Sequence, residues 1–357
     1  MNTVTEKPYV LVTGAGGFIG GHLVSKLAHM YGANQIRAVD IKPLEQWKQI
    51  FEGVDNVVAD LQQIDECHKI CEGANFVYNL ASDMGGIGFI ETNKALCMLS
   101  VLINTNMLLA SRDAKVSRYF FSSSACVYNT QKQQEFQLSP LSEEDAYPAM
   151  PEDGYGWEKL FSERMCRHFR EDFGLATRVA RFHNVYGPFC TWRGGRDKAP
   201  AATCRKVIEA KVQQTKEIEI WGDGNQTRSF MYIDDCIEGI IKISMSDIEQ
   251  PINLGSSELV TINHLVDLVE EIAEVKLKRL YNTNAPKGVK GRNSDNTKIL
   301  QLLNWEPSSL LKDGIRETYS WIYEQYIQTS TRKQEAEPTP NPSKEVNRSQ
   351  EKIMLVQ

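Results

Sequence analysis

Short runs of apolar, largely β-branched residues alternate with longer amphipathic segments over the first half of the chain. "YVLVTGAGG" begins at Tyr9 as a buried strand that ends in glycines, and "FIGGHLVSKLAHMYG" follows with helical spacing. Four further apolar runs, "IRAVDI", "VDNVVADL", "ANFVYNLA" and "SRYFFSSS", indicate strands separated by helices. Alternation of strand and helix is typical of a parallel, doubly wound sheet. The pattern therefore predicts an α/β fold with a Rossmann-type sheet.

The pattern loosens after residue 187. The loop "GPFCTWRGGRDKAP", a helix from Ala201 and the strand "EIEIWGDG" predict a smaller substrate-binding lobe over residues 188–328. Residues 1–187 are predicted to form the Rossmann domain, to which segments near 228–257 return. Residues 329–357 are polar and contain prolines, so we expect a disordered tail with little apolar surface to bury.

Composition narrows the classes of function. The 357 residues allow one large α/β domain with a smaller companion. A formal net charge of −6 argues against nucleic acid or an anionic membrane as the main partner. The eight cysteines include no CxxC pair and no zinc-type histidine spacing, so no metal is expected. With no apolar signal core and no run of about 18 apolar residues, we expect a cytoplasmic protein.

The glycines of "TGAGGFIG" carry the first candidate site. Gly14, Gly17 and Gly20 follow a strand and open a helix, which suits a tight turn and close approach of the backbone to a pyrophosphate. Their spacing is GxxGxxG, whereas ordinary dinucleotide dehydrogenases have GxGxxG. The segment predicts a dinucleotide site that includes Phe18 and Ile19 beside the three glycines.

Two acidic residues end the next strands. Asp40, in "IRAVDI", is placed to accept hydrogen bonds from the adenosine ribose hydroxyls. A carboxylate there repels a 2′-phosphate and favours NAD over NADP, although Lys42 nearby favours the opposite choice. Asp60 ends "VVAD" and fits two roles equally, an adenine contact or the N-cap of the following helix.

Tyr155 and Lys159 form a YxxxK pair. The two side chains lie one helical turn apart on the same face. A neighbouring ammonium favours the phenolate, so the pair predicts a tyrosine base with a pKa below the usual value of about 10. The lysine can also hold the nicotinamide ribose.

Together these motifs resemble the extended short-chain dehydrogenase/reductases of the NAD-dependent epimerase/dehydratase family, in the branch that acts on nucleotide sugars. The resemblance spans roughly residues 9–325 and includes "RFHNVYGP", "WGDGNQTRSFMYIDD", "PINLGSS" and "GRNSD". It implies NAD as cofactor and a homodimer paired through helices beside the YxxxK segment. In this branch a serine and a threonine at the strand end "FFSSSACVY" polarise the sugar C4 oxygen. Here Ser124 keeps the serine place, and Cys126 replaces the threonine.

The thiol at position 126 distinguishes reaction classes within the resemblance. The family's 4,6-dehydratases carry an Asp-Glu pair where this chain has Ala125 and Cys126, and simple 4-epimerases need no additional base. Oxidation of C4 to a ketone makes the hydrogens at C3 and C5 acidic, and inverting these centres needs two proton-transfer groups on opposite ring faces. Free cysteine and lysine titrate near pH 8.5 and 10.4, so such a site must shift one or both pKa values towards neutrality.

Four segments, "NLASDMGGIGFI", "SSACVY", "GPFCTWRGGRDKAPAA" and "GVKGRNSDN", resemble the members of the family that invert C3 and C5 of GDP-mannose. This resemblance assigns Cys126 as base and Lys198 as acid, and it implies GDP-L-galactose as product with some GDP-L-gulose. The implied substrate contacts are Gly85 and Gly86 at the hexose, Ser124 at the C4 oxygen, Asn184 and Arg292 at the diphosphate, and Lys206, Gln226, Thr227 and Arg228 at the nucleotide end. Ala125, Cys126, Asp197, Lys198 and Ala199 are further implied substrate contacts.

Two other functions fit the same motifs. One is a nucleotide-sugar 4-epimerase, or a related 3,5-acting enzyme with another nucleotide. The other is an NAD-sensing regulator on the same fold without catalysis. The presence of Tyr155, Lys159, Cys126 and Lys198 together disfavours the regulator.

Overall fold

The fold is described from a computed structural model, which covers residues 7–136, 139–286 and 288–336. The strands of its main sheet are β1 (Val10–Thr13), β2 (Ile36–Asp40), β3 (Asp55–Val58), β4 (Phe76–Asn79), β5 (Arg118–Ser124), β6 (Thr177–Phe182) and β11 (Ile252–Leu254). They are all parallel and lie in the order β11-β6-β5-β4-β1-β2-β3. This confirms the predicted Rossmann-type sheet.

Helices cover both faces of this sheet. In chain order they are α1 (Phe18–Tyr31), α2 (Ile64–Cys71), α3 (Ile87–Thr92), α4 (Lys94–Met98), α5 (Ser100–Asp113), α6 (Tyr155–Phe173), α7 (Ala199–Gln213), α8 (Ile233–Met245), α9 (Ile262–Ala273), α10 (Thr297–Leu303) and α11 (Leu311–Ala336). Successive strand residues point to opposite faces. Val10 and Val12 of β1 therefore pack with α1 and α8, whereas Leu11 packs with α2, α5 and α6.

The second lobe is built on small sheets. Its strands are β7 (Val185–Tyr186), β8 (Glu217–Trp221), β9 (Thr227–Ser229), β10 (Met231–Tyr232), β12 (Leu259–Thr261), β13 (Lys278–Asn282) and β14 (Gly291–Arg292). They pair as β10-β7, β12-β9-β14 and β13-β8. A separate apolar core joins α7, α9 and α11. Two segments near 228–257 lie on the Rossmann domain, since β11 is an edge strand of the main sheet and α8 packs on it.

The C-terminal helix is longer than the sequence indicates. The tail was predicted to begin at residue 329, but α11 continues through Ala336. Tyr319, Ile322 and Tyr326 anchor this helix in the core of the second lobe, so its last turns extend an already packed element. The rest of the predicted tail, residues 337–357, lies outside the described residues.

The helical stretch Lys94–Asp113 has the length and apolarity of a membrane-spanning helix, with a mean hydropathy of 1.4. In the fold it packs against α2 and α6 as part of the layer on the main sheet. Asn104 and Ser111 in this stretch are buried inside that layer. The apolar composition therefore matches a core helix with one additional apolar face.

The topology fixes where a ligand binds. Ligands of open parallel sheets bind outside the carboxyl ends of the strands, where the strand order reverses. Here that point lies between the neighbouring strands β1 and β4. Gly14 follows β1, Asp40 ends β2 and Ser124 ends β5, so the candidate residues from the sequence converge on one edge of the sheet.

Candidate active site

The turn between β1 and α1 forms a cradle that requires glycine. Gly14 has φ +68°, and its carbonyl oxygen accepts a hydrogen bond of 3.1 Å from the Gly17 amide. Gly17 is the N-cap of α1, which begins with Phe18 and Ile19. A Cβ on Gly20 would lie 2.1 Å from the Gly14 carbonyl oxygen, so only glycine allows this approach. The helix N-terminus thus presents its first amides at the sheet edge, as an anionic pyrophosphate requires.

The two acidic residues lie beside this cradle. Asp40 is buried at the end of β2, and its Oδ1 accepts a hydrogen bond of 3.1 Å from the Lys42 amide. Asp60 accepts a hydrogen bond of 3.0 Å from the Gln62 amide. Helix α2 has Gln63 as its N-cap, so the helix-cap role considered for Asp60 does not apply.

Lys159 is a buried ammonium without a hydrogen-bond acceptor among the described residues. Its Nζ lies 4.8 Å from the ring centroid of Phe121, 5.6 Å from that of Tyr155 and 3.9 Å from Glu158 Oε2. Burial lowers the pKa of Lys159, against the opposing effect of Glu158. An unsatisfied buried donor is costly unless a ligand provides the acceptor. Ribose hydroxyls of a dinucleotide supply such acceptors, and with the glycine cradle the site therefore fits NAD.

A cavity of about 710 Å³ opens between the two lobes. The predicted residues that line it are Gly85, Gly86, Ser124, Ala125, Cys126, Tyr155, Asn184, Asp197, Lys198, Ala199, Lys206, Gln226, Arg228 and Arg292. Thr227 does not belong to this lining, because its hydroxyl donates to the Phe136 carbonyl. The edge of the main sheet, the "DMGGIGF" loop (residues 83–89) and the second lobe thus all line the same cavity.

Tyr155 differs from the sequence prediction in its protonation. Burial raises the pKa of Tyr155 well above its ordinary value, and neighbouring Cys126 and Glu158 add to the increase. A hydrogen bond with Ser124 lowers it but does not compensate. The predicted low pKa was therefore wrong. The YxxxK spacing predicts that Lys159 lies beside the Tyr155 ring. It does not predict how deeply the fold buries the phenol, and burial raises the pKa.

Cys126 lies where the end of β5 meets the start of α6. A Cβ on Gly156 would lie 2.3 Å from the Cys126 carbonyl oxygen, so glycine permits this contact. Arg292 Nη1 lies 3.7 Å from the Cys126 sulfur, and the Cys126 amide donates to Ser124 Oγ at 3.2 Å. Burial raises the pKa of the thiol to about 11, and Glu152 adds to this effect, whereas Arg292 opposes it. The thiol is thus protonated at neutral pH in the free site.

Lys198 shares the cavity with Cys126. It is the N-cap residue of α7, at the positive end of the helix dipole. Burial lowers its pKa, and Arg292 lowers it further, while Cys126 opposes the shift. The fold therefore favours the neutral amine relative to an exposed lysine.

Contacts at the nucleotide end are largely to the backbone. Asn184 Nδ2 donates to the Ser229 carbonyl at 3.0 Å, and Gln226 Nε2 donates to that of Trp221 at 3.2 Å. Lys206 Nζ donates to the Glu219 carbonyl at 2.8 Å and lies 5.8 Å from the Trp221 ring centroid. Trp221 is half-exposed in the cavity lining. This end of the cavity offers an aromatic face beside a cation.

Sequence reasoning missed three residues of this site. Glu152 pairs with Arg292 at 2.5 Å, and Gln133 accepts from Arg292 Nε at 2.8 Å. Trp221 is the first residue of "WGDGNQTRSFMYIDD", a segment in which no pattern distinguishes it. None of them belongs to a spacing pattern. Glu152 stands three residues before Tyr155, which is the only signal that could have drawn attention to it.

The glycine cradle gives a direct prediction for cofactor retention. Gly20→Ala places a methyl group against the Gly14 carbonyl and should remove most of the bound dinucleotide, with a lower melting temperature. Gly21→Ala is the matched control, because its Cβ meets only the flexible Gln49 side chain at 3.0 Å. The measurement is nucleotide released per protomer on denaturation. Full retention by Gly20→Ala, or release of only NADP(H) from the wild type, would contradict this assignment.

The chain is similar in sequence to known proteins. A profile of the NAD dependent epimerase/dehydratase family matches residues 10–255. The chain is 45% identical to GDP-mannose 3,5-epimerase 1 of Oryza sativa subsp. japonica over 92% of this chain and 85% of the relative. It is 44% identical to GDP-mannose 3,5-epimerase of Arabidopsis thaliana over 90% of this chain and 84% of the relative.

Solved structures show the same fold. UDP-glucose 4-epimerase of Thermotoga maritima, with UDP-glucose, superposes with a TM-score of 0.79 at 23% identity and covers 89% of this chain and 99% of its own. UDP-glucuronic acid 4-epimerase of Bacillus cereus, in complex with UDP-glucuronic acid and NAD, has a TM-score of 0.73 at 25% identity. The match covers 89% of this chain and 99% of that structure's chain. The chain belongs to the NAD dependent epimerase/dehydratase family, and NAD is its cofactor.

Proposed function

We propose that the protein epimerises GDP-α-D-mannose at C3 and C5 to GDP-L-galactose, with GDP-L-gulose formed by inversion at C5 alone. The observation that carries the proposal is that Cys126 and Lys198 line the same cavity as Ser124 and Tyr155. A site that only turns a 4-ketone over needs no such pair. The named relatives from rice and Arabidopsis favour the guanine nucleotide.

Oxidation at C4 uses the end of β5 and the start of α6. Ser124 holds the C4 oxygen, and Tyr155, in contact with Ser124, is the base. Because its pKa is raised, the phenol must release its own proton to solvent before it accepts that of the C4 hydroxyl. Lys159 stabilises the phenolate with its buried ammonium and holds the nicotinamide ribose. The glycine cradle and Lys159 would hold NAD, which would supply hydride-transfer chemistry at C4.

Inversion at C3 and C5 uses the two remaining groups. Cys126 removes a proton from the carbon next to the ketone, and Lys198 returns one from the opposite ring face. Burial raises the pKa of the Cys126 thiol and lowers that of the Lys198 amine, so it opposes the active thiolate and ammonium at both groups. A proton shift from the thiol to the amine forms the active pair.

Analysis of the sugar products tests this function. Purified enzyme incubated with GDP-mannose should form GDP-L-galactose and a smaller amount of GDP-L-gulose, without net consumption of NAD. A product inverted only at C4, from GDP-mannose or a UDP-hexose, would instead support the 4-epimerase. Unchanged sugar in every case would favour the regulator.

We further propose that two copies pair through the outer face of α4, α5 and α6. This face carries large apolar side chains that are between 37% and 51% exposed, namely Leu96, Met98, Leu99, Leu102, Trp157 and Phe161. Trp157 and Phe161 lie one helical turn apart and next to the YxxxK pair. A second copy supplies a complementary apolar face by symmetry. The same face accounts for the high hydropathy of the stretch Lys94–Asp113.

Charge on this face should separate the copies. The double variant Leu99→Glu and Phe161→Glu is expected to be monomeric, because burying two carboxylates in an apolar interface is costly. Light scattering after size-exclusion chromatography gives the mass directly. Leu310→Glu is the control, since Leu310 is 63% exposed outside this face. A wild type that is monomeric at micromolar concentration would refute the pairing.

A further inference from the structure

Arg292 has its three side-chain nitrogens occupied around the catalytic thiol. Nε donates to Gln133 Oε1 at 2.8 Å, Nη2 donates to Glu152 Oε1 at 2.5 Å, and Nη1 lies 3.7 Å from the Cys126 sulfur. The Glu152 amide also donates to the Cys126 carbonyl at 3.0 Å. The Arg292 guanidinium therefore bridges the Glu152 carboxylate and the Cys126 sulfur. The backbone of Glu152 is also hydrogen-bonded to the backbone of Cys126.

Ionisable groups face this sulfur from several elements. They are Glu152 from the loop before α6, Tyr155 and Lys159 from α6, Lys198 at the start of α7, Arg228 from β9 and Arg292 from β14. Among these described groups, Glu152 supplies the negative charge at neutral pH, whereas the lysines and arginines are potential cations. Arg292 keeps Glu152 ionised, since it lowers the carboxyl pKa despite burial.

We propose that Glu152 is a positioning residue for the epimerisation: it holds Arg292 against the Cys126 sulfur and offsets the charge of the arginine there. For the reaction, and resting on the proposed function, this means that Glu152 prevents Cys126 from forming a thiolate before the sugar binds. A buried thiolate beside Arg292 alone would be stabilised before any sugar is bound. With Glu152 present, the thiolate forms together with the proton shift to Lys198.

Alkylation of Cys126 measures this effect without turnover. Holoenzyme without substrate is treated with iodoacetamide across a pH series, and the Cys126 peptide is followed by mass spectrometry, because the thiolate is the reacting form. In the wild type the rate should still be rising at pH 10. Glu152→Gln keeps the shape, removes the charge and should move the midpoint at least one pH unit lower. Arg292→Gln should move it higher, because it removes the stabilising cation.

The control is another buried carboxylate, Glu163 of α6. Glu163 forms a two-pronged pair with Arg181 at 2.9 and 2.8 Å, away from the cavity lining. Glu163→Gln should leave the Cys126 midpoint unchanged even if its melting temperature falls. A midpoint in folded Glu152→Gln within about 0.3 pH units of the wild type would overturn the inference. If Glu152→Gln does not fold, a midpoint in Arg292→Gln that does not rise would overturn it instead.

Activity provides a readout that separates this inference from the proposed function. If GDP-mannose is a substrate, the alkaline limb of the kcat profile should shift to lower pH in Glu152→Gln, which a purely structural role would not produce. If no variant epimerises GDP-mannose but the alkylation midpoints shift as described, the proposed substrate is wrong and the role of Glu152 at the thiol remains.

Discussion

Replacing Cys126 by alanine is expected to reduce formation of GDP-L-galactose and GDP-L-gulose by about 10²- to 10⁴-fold, the range of a lost general base. The reason is specific to this site: Ser124 and Tyr155 remain in place, so C4 is still oxidised, but no group removes a proton from C3 or C5. Stopped-flow absorbance should therefore still detect reduced nicotinamide after mixing with GDP-mannose. Cys126→Ser should be nearly as inactive, because a hydroxyl is much less acidic than a thiol.

The matched control for this change is Cys97→Ala. Cys97 is fully buried in the same apolar cluster as Cys126 and Tyr155, but it does not line the cavity. Its replacement removes the same atoms next to the site and should lower stability by about 1 kcal/mol while leaving the product ratio unchanged. If Cys126→Ala epimerises at near the wild-type rate, the thiol only fills space and a 4-epimerase becomes the better description.

Tyr155→Phe is expected to stop the reaction one step earlier, with a loss of similar size. Without the phenol oxygen, the C4 hydroxyl proton has no acceptor beside Ser124, and without the ketone neither C3 nor C5 is acidic. The variant should therefore show no reduced nicotinamide and no exchange of carbon-bound hydrogen, while NAD remains bound through Lys159 and the glycine cradle. Single-turnover absorbance and nucleotide content of the purified variant measure the two effects separately.

Tyr119→Phe controls for the loss of a buried hydroxyl. Its oxygen accepts a hydrogen bond of 2.8 Å from Asn79 within the sheet, outside the cavity lining. Its effect should be confined to the melting temperature. Rapid reduction of NAD by Tyr155→Phe would contradict the assignment of the base, whereas loss of NAD from that variant would indicate a binding role only.

The sequence predicted the skeleton of this site because its elements follow local rules. The spacing of Gly14, Gly17 and Gly20 follows from the single turn between β1 and α1. Tyr155 and Lys159 are one helical turn apart wherever that helix lies. Both patterns can therefore be recognised from a few neighbouring residues. The parallel sheet follows from alternating strands and helices, and it then brings β1, β2 and β5 to a common edge without further information.

What the sequence did not predict depends on distant neighbours. The partner of Arg292 is Glu152, 140 positions away, and no local pattern joins them. The high pKa of Tyr155 follows from its burial, which depends on the whole fold and not on the YxxxK spacing. Thr227 stands between Gln226 and Arg228, yet its hydroxyl donates to the carbonyl of Phe136 outside the cavity lining.

The most direct test of the account is the reaction of wild-type enzyme with GDP-mannose in heavy water. Proton transfer by Cys126 and Lys198 predicts deuterium at C5 of both products and at C3 of GDP-L-galactose. C4 should keep its original hydrogen, because that hydrogen leaves and returns as hydride and never exchanges with water. Nuclear magnetic resonance of the isolated sugars resolves the three positions. Product with deuterium at neither C3 nor C5 would contradict the proposed function.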